Sequence, residues 1–212
     1  MTRRAALLTF ALLGWLLCFA VLAQLGTWTP FVFVGLILVS LALQSSAVPL
    51  RQFQASRRSV QVGLGVGVLM VLVTHVVYDR LASVFPAVQR GTLQLFSLVE
   101  GVGFSRPARA ALIVVIASCE EILFRGLLPC TPRGTQRAFG LPLNRELGGI
   151  LGWSAVYALT TVPLASPLLV LCAFACGTVW ATLRVATGSV LVPILAHVLW
   201  DLGVLLVWPL PG

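Results

Sequence analysis

The sequence predicts an all-α fold, a polytopic membrane helix bundle of about seven or eight transmembrane helices. Three observations lead there. Mean hydropathy is +1.03 and only 9% of residues are charged, which excludes a soluble globular domain. The apolar residues fall in runs of about 20, long enough to cross a hydrocarbon core. The fourteen basic residues, all arginine, stand mostly between those runs. The formal charge of +8 therefore reads as topology and lipid-headgroup contact, and no nucleic-acid partner is expected. At 212 residues, such runs leave little room for anything else. One membrane domain is expected, with N-terminal membrane helices over 1–107 and motif-bearing helices over 108–212.

Taken in order, Arg3-Arg4 precede an uncharged run from Ala5 to Ala23. It exceeds the 7–15 residues typical of a signal h-region, and more apolar chain follows, so it reads as a retained first span. Trp28-Thr29-Pro30 makes a turn, and a second span covers about Phe31 to Val48. Arg51, Arg57 and Arg58 form a basic loop before a third span, Val60 to Tyr78, with His75 near its end. From Asp79 to Arg109 charges mix with Phe85, Leu93 and Phe96. An amphipathic interfacial helix around Val88–Val99 fits that pattern, though a hidden eighth span is the alternative. The fourth span is Ala108 to Leu128, followed by a basic loop, Pro129 to Glu146, with Arg133, Arg137 and Arg145. The fifth runs from Leu147 to Val162 and the sixth from Leu168 to Leu183, stopped by Arg184. The seventh runs from Ser189 to Trp208. With seven spans, Arg3-Arg4, Arg51–Arg58, Arg133–Arg145 and Arg184 share one side, so the N terminus is expected in the cytoplasm.

Cys18, Cys119, Cys130, Cys172 and Cys176 lie in or beside apolar segments. Their odd number and lack of C-x-x-C spacing argue against disulfides or structural zinc, and small apolar packing is the simpler reading.

Chemistry concentrates in two places. In Ala117-Ser118-Cys119-Glu120-Glu121-Ile122-Leu123-Phe124-Arg125-Gly126, two carboxylates and an arginine enter a span. An ionisable group at bilayer depth costs about 2.5–3.5 kcal/mol on insertion scales. Glu121 and Arg125, at i and i+4, share a helix face and can pair. Packing alone explains that pair. It does not explain Glu120, turned about 100° away. In the last span His197 and Asp201 again share a face at i and i+4. Glu120 and His197 each sit eight residues from a span end, about 12 Å deep from one surface, so the two motifs can converge. A buried carboxylate can act as general base toward water, and an imidazole can bind a metal or polarise an oxyanion, which together suit amide hydrolysis.

These motifs, Glu120-Glu121-x-x-x-Arg125 and His197-x-x-x-Asp201 with the approach Ala186 to His197, resemble those of the CAAX protease and bacteriocin-processing (CPBP, Abi) family of intramembrane metalloproteases. The resemblance spans about Ala110 to Leu202. It implies an all-α membrane bundle in which Glu120 activates water, Glu121 and Arg125 belong to the same motif, and His197 and Asp201 complete the site. It further implies a divalent metal, zinc, held by His197 with Glu120. The substrate would be a membrane-associated peptide or protein amid membrane lipids, and the expected location is a bacterial inner membrane. The family's middle motif, Phe-x-x-x-His, corresponds here to Tyr157-Ala158-Leu159-Thr160-Thr161, so Thr161 stands where the His is expected. Counted as a helix from an interfacial Trp153, Thr161 would also lie about 12 Å deep. Two readings stay open: an intramembrane peptidase, or a catalytically impaired relative serving as scaffold, immunity or partner-binding protein. A coupled transporter is a third, without the repeat that such folds show.

Overall fold

Each apolar run closes into a helix whose ends are set by local caps and breakers. The computed structural model describes residues 2–100, 103–127 and 143–210. It contains eight helices among those residues and no strand: α1 Arg3–Leu25, α2 Thr29–Gln44, α3 Arg57–Val84, α4 Pro86–Glu100, α5 Arg106–Glu120, α6 Leu143–Leu159, α7 Pro167–Thr187 and α8 Leu191–Leu202. The all-α membrane bundle expected from composition is what the chain forms. By length and composition α1, α3 and α7 can each cross a membrane. Phe10, Leu13 and Leu17 on α1, and Val68, Leu69 and Leu72 on α3, are exposed apolar side chains of the kind that face hydrocarbon.

The Thr2 hydroxyl caps α1 by accepting from the Ala5 N–H, and Gly26 closes it in the left-handed conformation at φ 62°. Leu7, Ala11, Trp15, Cys18 and Leu22 make its buried stripe at helical spacing. α2 returns antiparallel against α1, with Trp15 edge-on to Phe31 and Phe19 to the same ring.

α3 and α8 run parallel. Gly63 faces Val192, Gly67 faces Ala196, and His75 meets Trp208. A Cβ at Gly67 would lie 3.0 Å from the Ala196 carbonyl oxygen, so glycine lets the two backbones touch there. Trp200 reinforces this pair, donating from Nε1 to the Thr74 hydroxyl at 2.9 Å. α5 lies antiparallel to α8, with Glu120 beside His197 at one end and Arg106 donating to the Leu206 carbonyl at the other.

Several boundaries differ from the sequence expectation. α2 stops at Gln44, four residues before Val48, and Ser46 turns the chain with φ 54°. α3 runs past Tyr78 through Asp79 and Arg80 to Val84, because two charges do not break a helix and Pro86 is the first residue that does. Between Asp79 and Arg109 the described residues form the end of α3, then α4, 15 residues long, and the start of α5. α6 ends at Leu159 before a 3-10 turn, Val162–Leu164, at Pro163. α7 continues through Arg184 to Thr187. Arg184 is therefore a buried helical residue and not a loop charge. Its Nε donates to the Arg125 carbonyl at 3.2 Å and its Nη2 to Gln52 Oε1 at 3.0 Å. The basic loop Pro129 to Glu146 falls outside the fully described residues, and so does Cys130.

Candidate active site

Glu120 is the last residue of α5, and the next five, Glu121–Arg125, form a single π-helical turn closed by the Gly126 N–H on the Glu121 carbonyl at 3.0 Å. Single π turns inside α-helices recur at functional sites. This one widens the helix so that both adjacent carboxylates face inward. The i, i+4 pair expected between Glu121 and Arg125 forms, with Arg125 Nη1 3.1 Å from Glu121 Oε1 and both side chains fully buried.

His197 joins them from α8. Its Nδ1 lies 2.9 Å from Glu121 Oε1. Its Nε2 lies 3.3 Å from Asp201 Oδ2 and 3.9 Å from Glu120 Oε2. Both ring nitrogens thus face carboxylate oxygens, an arrangement that the doubly protonated imidazolium satisfies with two donors. Trp180 of α7 stacks on His197, with ring centroids 3.6 Å apart and 18° between planes. Glu120, Glu121, Arg125 and His197, read from two remote stretches of sequence, therefore meet in one buried cluster, with Asp201 half-buried at its edge.

Two donors to Glu120 were not read from the sequence. Trp15 of α1 donates from Nε1 to Glu120 Oε1 at 2.7 Å. Tyr157 of α6 donates its hydroxyl to Glu120 Oε2 at 2.6 Å. The Arg125 guanidinium lies over the Tyr157 ring, 4.3 Å from its centroid, and Nη2 donates to the Gly177 carbonyl at 3.3 Å. Only tyrosine in place of phenylalanine at position 157 could have pointed to this ring. Trp153, read as an interfacial marker, instead donates to the Phe124 carbonyl at 2.6 Å and ties α6 to the π turn. Thr161 is buried beyond the end of α6, and its hydroxyl donates to the Ala158 carbonyl at 2.8 Å.

The donor set in this arrangement does not fit a zinc ion. Glu120 and His197 are two donors, and Asp201 Oδ2 lies 3.3 Å from the same His197 Nε2. Among the described residues no group of three or more His, Cys, Asp or Glu side chains is placed to hold a metal.

Residues 104–203 match the family model of Rce1-like type II CAAX prenyl endopeptidases. The chain thus carries, over just under half of its length, a segment similar to the CAAX protease (CPBP) family. It is an integral membrane homologue of CAAX-type intramembrane proteases. The matched segment takes in both polar motifs and the Tyr157 to Thr161 stretch, and it includes α5, the π turn, α7 and α8. No curated protein and no solved structure matches the chain.

Proposed function

We propose that the chain hydrolyses peptide bonds of membrane-associated substrates at Glu120 and His197. The observation that carries this reading is the facing of Glu120 Oε2 and His197 Nε2 at 3.9 Å. A water or a substrate oxygen set off that line can lie at about 2.8 Å from both atoms, the hydrogen-bonding distance. A carboxylate has about four lone-pair sites, so Glu120 can accept from Trp15 and Tyr157 and still take a water proton.

In the reaction Glu120 removes a proton from water as the water oxygen bonds to the scissile carbonyl carbon. The imidazolium of His197 donates a hydrogen bond to the developing oxyanion. On collapse the C–N bond breaks, the proton held by Glu120 passes to the leaving amine, and the water oxygen stays in the carboxyl product. Glu121 and Asp201 orient and charge-balance His197, and Arg125 balances Glu121 in turn. Glu121 Oε2 and Trp180 Nε1 are buried beside the cluster without a hydrogen-bond partner among the described residues. An apolar groove of about 320 Å³ between α5 and α8, lined by Ala110, Leu202 and Leu206, begins one residue beyond Asp201 and offers walls to a lipid-bearing peptide.

A second reading, a catalytically impaired relative serving as scaffold, immunity or partner-binding protein, is favoured by Thr161 in place of the expected imidazole. The test is cleavage of a quenched-fluorescent lipopeptide by the purified chain in detergent. Turnover abolished by Glu120→Gln and by His197→Ala supports the peptidase. An inert wild type that stays folded supports the second reading. The proposed orientation, with the N terminus in the cytoplasm of a bacterial inner membrane, rests on the arginines at 3–4, 51–58 and 133–145.

A further inference from the structure

We infer that Tyr157 is a positioning residue for Glu120, its hydroxyl standing at the carboxylate in the role left open by the absence of an imidazole at position 161. This rests on the peptidase reading. The two departures from Phe-x-x-x-His lie in one motif, four residues apart, and their effects are opposite. Thr161 gives its hydroxyl to its own turn, at Ala158 O. Tyr157 adds to a phenylalanine ring one oxygen, and that oxygen is the atom 2.6 Å from Glu120 Oε2.

The phenol is fixed from several sides. Its ring is edge-on to Phe124, with centroids 5.2 Å apart, and edge-on to Trp180 at 6.4 Å. The Arg125 guanidinium covers its face. A hydroxyl on so constrained a ring cannot swing away, so it holds Glu120 Oε2 toward His197 rather than merely filling space. Trp15 holds the other oxygen from the opposite partner helix. With both donors in place the carboxylate plane is set, and the lone pairs left over are those that a water beside His197 would meet. An O–H donor on an ionised carboxylate is among the stronger hydrogen bonds of a protein interior. Phenylalanine at 157 would keep the packing and remove only that bond.

The experiment compares wild type with Tyr157→Phe and Trp15→Phe, in detergent, on protein carrying 13C-carboxyl glutamate. Infrared difference spectra assign the Glu120 carboxylate stretch through Glu120→Gln. The expected result is a shifted Glu120 band in a Tyr157→Phe protein that still unfolds cooperatively. Lipopeptide kcat should fall about tenfold or more at unchanged KM, the signature of an interaction that matters only in the transition state. Trp15→Phe should shift the same band, which keeps the test alive if one variant fails to fold. An unshifted Glu120 band in folded Tyr157→Phe overturns the inference, and so does a shifted band with unchanged kcat. If wild type cleaves nothing while the band still shifts, the peptidase reading falls and Tyr157 remains the group that holds Glu120.

Discussion

Oε1 of Glu121 is shared, with His197 Nδ1 2.9 Å away and Arg125 Nη1 3.1 Å away. Two cationic groups from two elements converge on one buried oxygen, so Glu121 is where the π turn is bound to α8. Glu121→Ala leaves Arg125 without its anion and His197 Nδ1 without its acceptor. Breaking such a buried pair costs about 3–5 kcal/mol. Glu120→Gln keeps an acceptor for one of Trp15 and Tyr157 and should cost only about 1–3 kcal/mol. The expected order in detergent melts is therefore wild type, then Glu120→Gln, then Glu121→Ala. Equal melting shifts for the two variants would contradict this division.

Gly126 closes the π turn. A Cβ there would run into the Ile122 carbonyl oxygen and lie 2.9 Å from Val48 Cγ1. The first obstacle is backbone and cannot rotate away. Gly126→Ala should destabilise the chain by at least about 3 kcal/mol. A near-wild-type melting temperature would show that the turn relaxes to ordinary α geometry at little cost. In that event the distance between Glu120 and His197 should be measured again.

How much of this was legible beforehand depended on range along the chain. Glu121 with Arg125, and His197 with Asp201, were readable because a helix brings residues four apart onto one face. That Glu120 would face His197 was arguable only from depth, and the arithmetic was partly at fault. Counting helical rise from Trp153 to Thr161 overshoots, because the helix ends at Leu159. The residue preceding a proline is biased away from helical backbone, and Val162 precedes Pro163. The bonds from Trp15 and Tyr157 to Glu120 join residues 105 and 37 apart in sequence, and no periodicity reports such pairs. Arg184 misled for a different reason. A charge at the end of an apolar run resembles a loop boundary, but here two acceptors, the Arg125 carbonyl and Gln52, wait inside the bundle.

The α3–α8 contact makes a helix remote from the carboxylates into a support of the site. Gly67 meets Ala196, which directly precedes His197. Gly67→Ala must push the α8 backbone outward by some tenths of an ångström, because the Ala196 carbonyl is already at 3.0 Å from the would-be Cβ. Overpacking of this kind costs about 1–3 kcal/mol. Lipopeptide turnover should fall more than stability alone explains, since His197 moves with its neighbour. Gly65→Ala, whose Cβ would meet nothing within 4 Å, is the matched control and should change neither readout.

The last prediction concerns Thr161. Restoring a histidine there invites the expectation of a zinc site with His197 and Glu120. The geometry argues otherwise. Position 161 lies past the end of α6, in a turn where its side chain bonds back to Ala158 O. Among the described residues no group of three His, Cys, Asp or Glu side chains is placed to hold a metal. An imidazole at 161 would have to leave that turn and reach toward Glu120 and His197 before a metal had three donors, and closed zinc sites require four ligands near 2.0–2.3 Å. Thr161→His alone should therefore show no stoichiometric zinc binding by calorimetry, and no zinc-dependent rise in melting temperature. Tyr157→Phe combined with Thr161→His, which frees one Glu120 oxygen and supplies a second imidazole, should bind zinc if any variant of this centre does. One-to-one zinc binding by Thr161→His that disappears on adding His197→Ala would show that the site already has room for a metal, and that the hydrogen bonds on Glu120 yield to it.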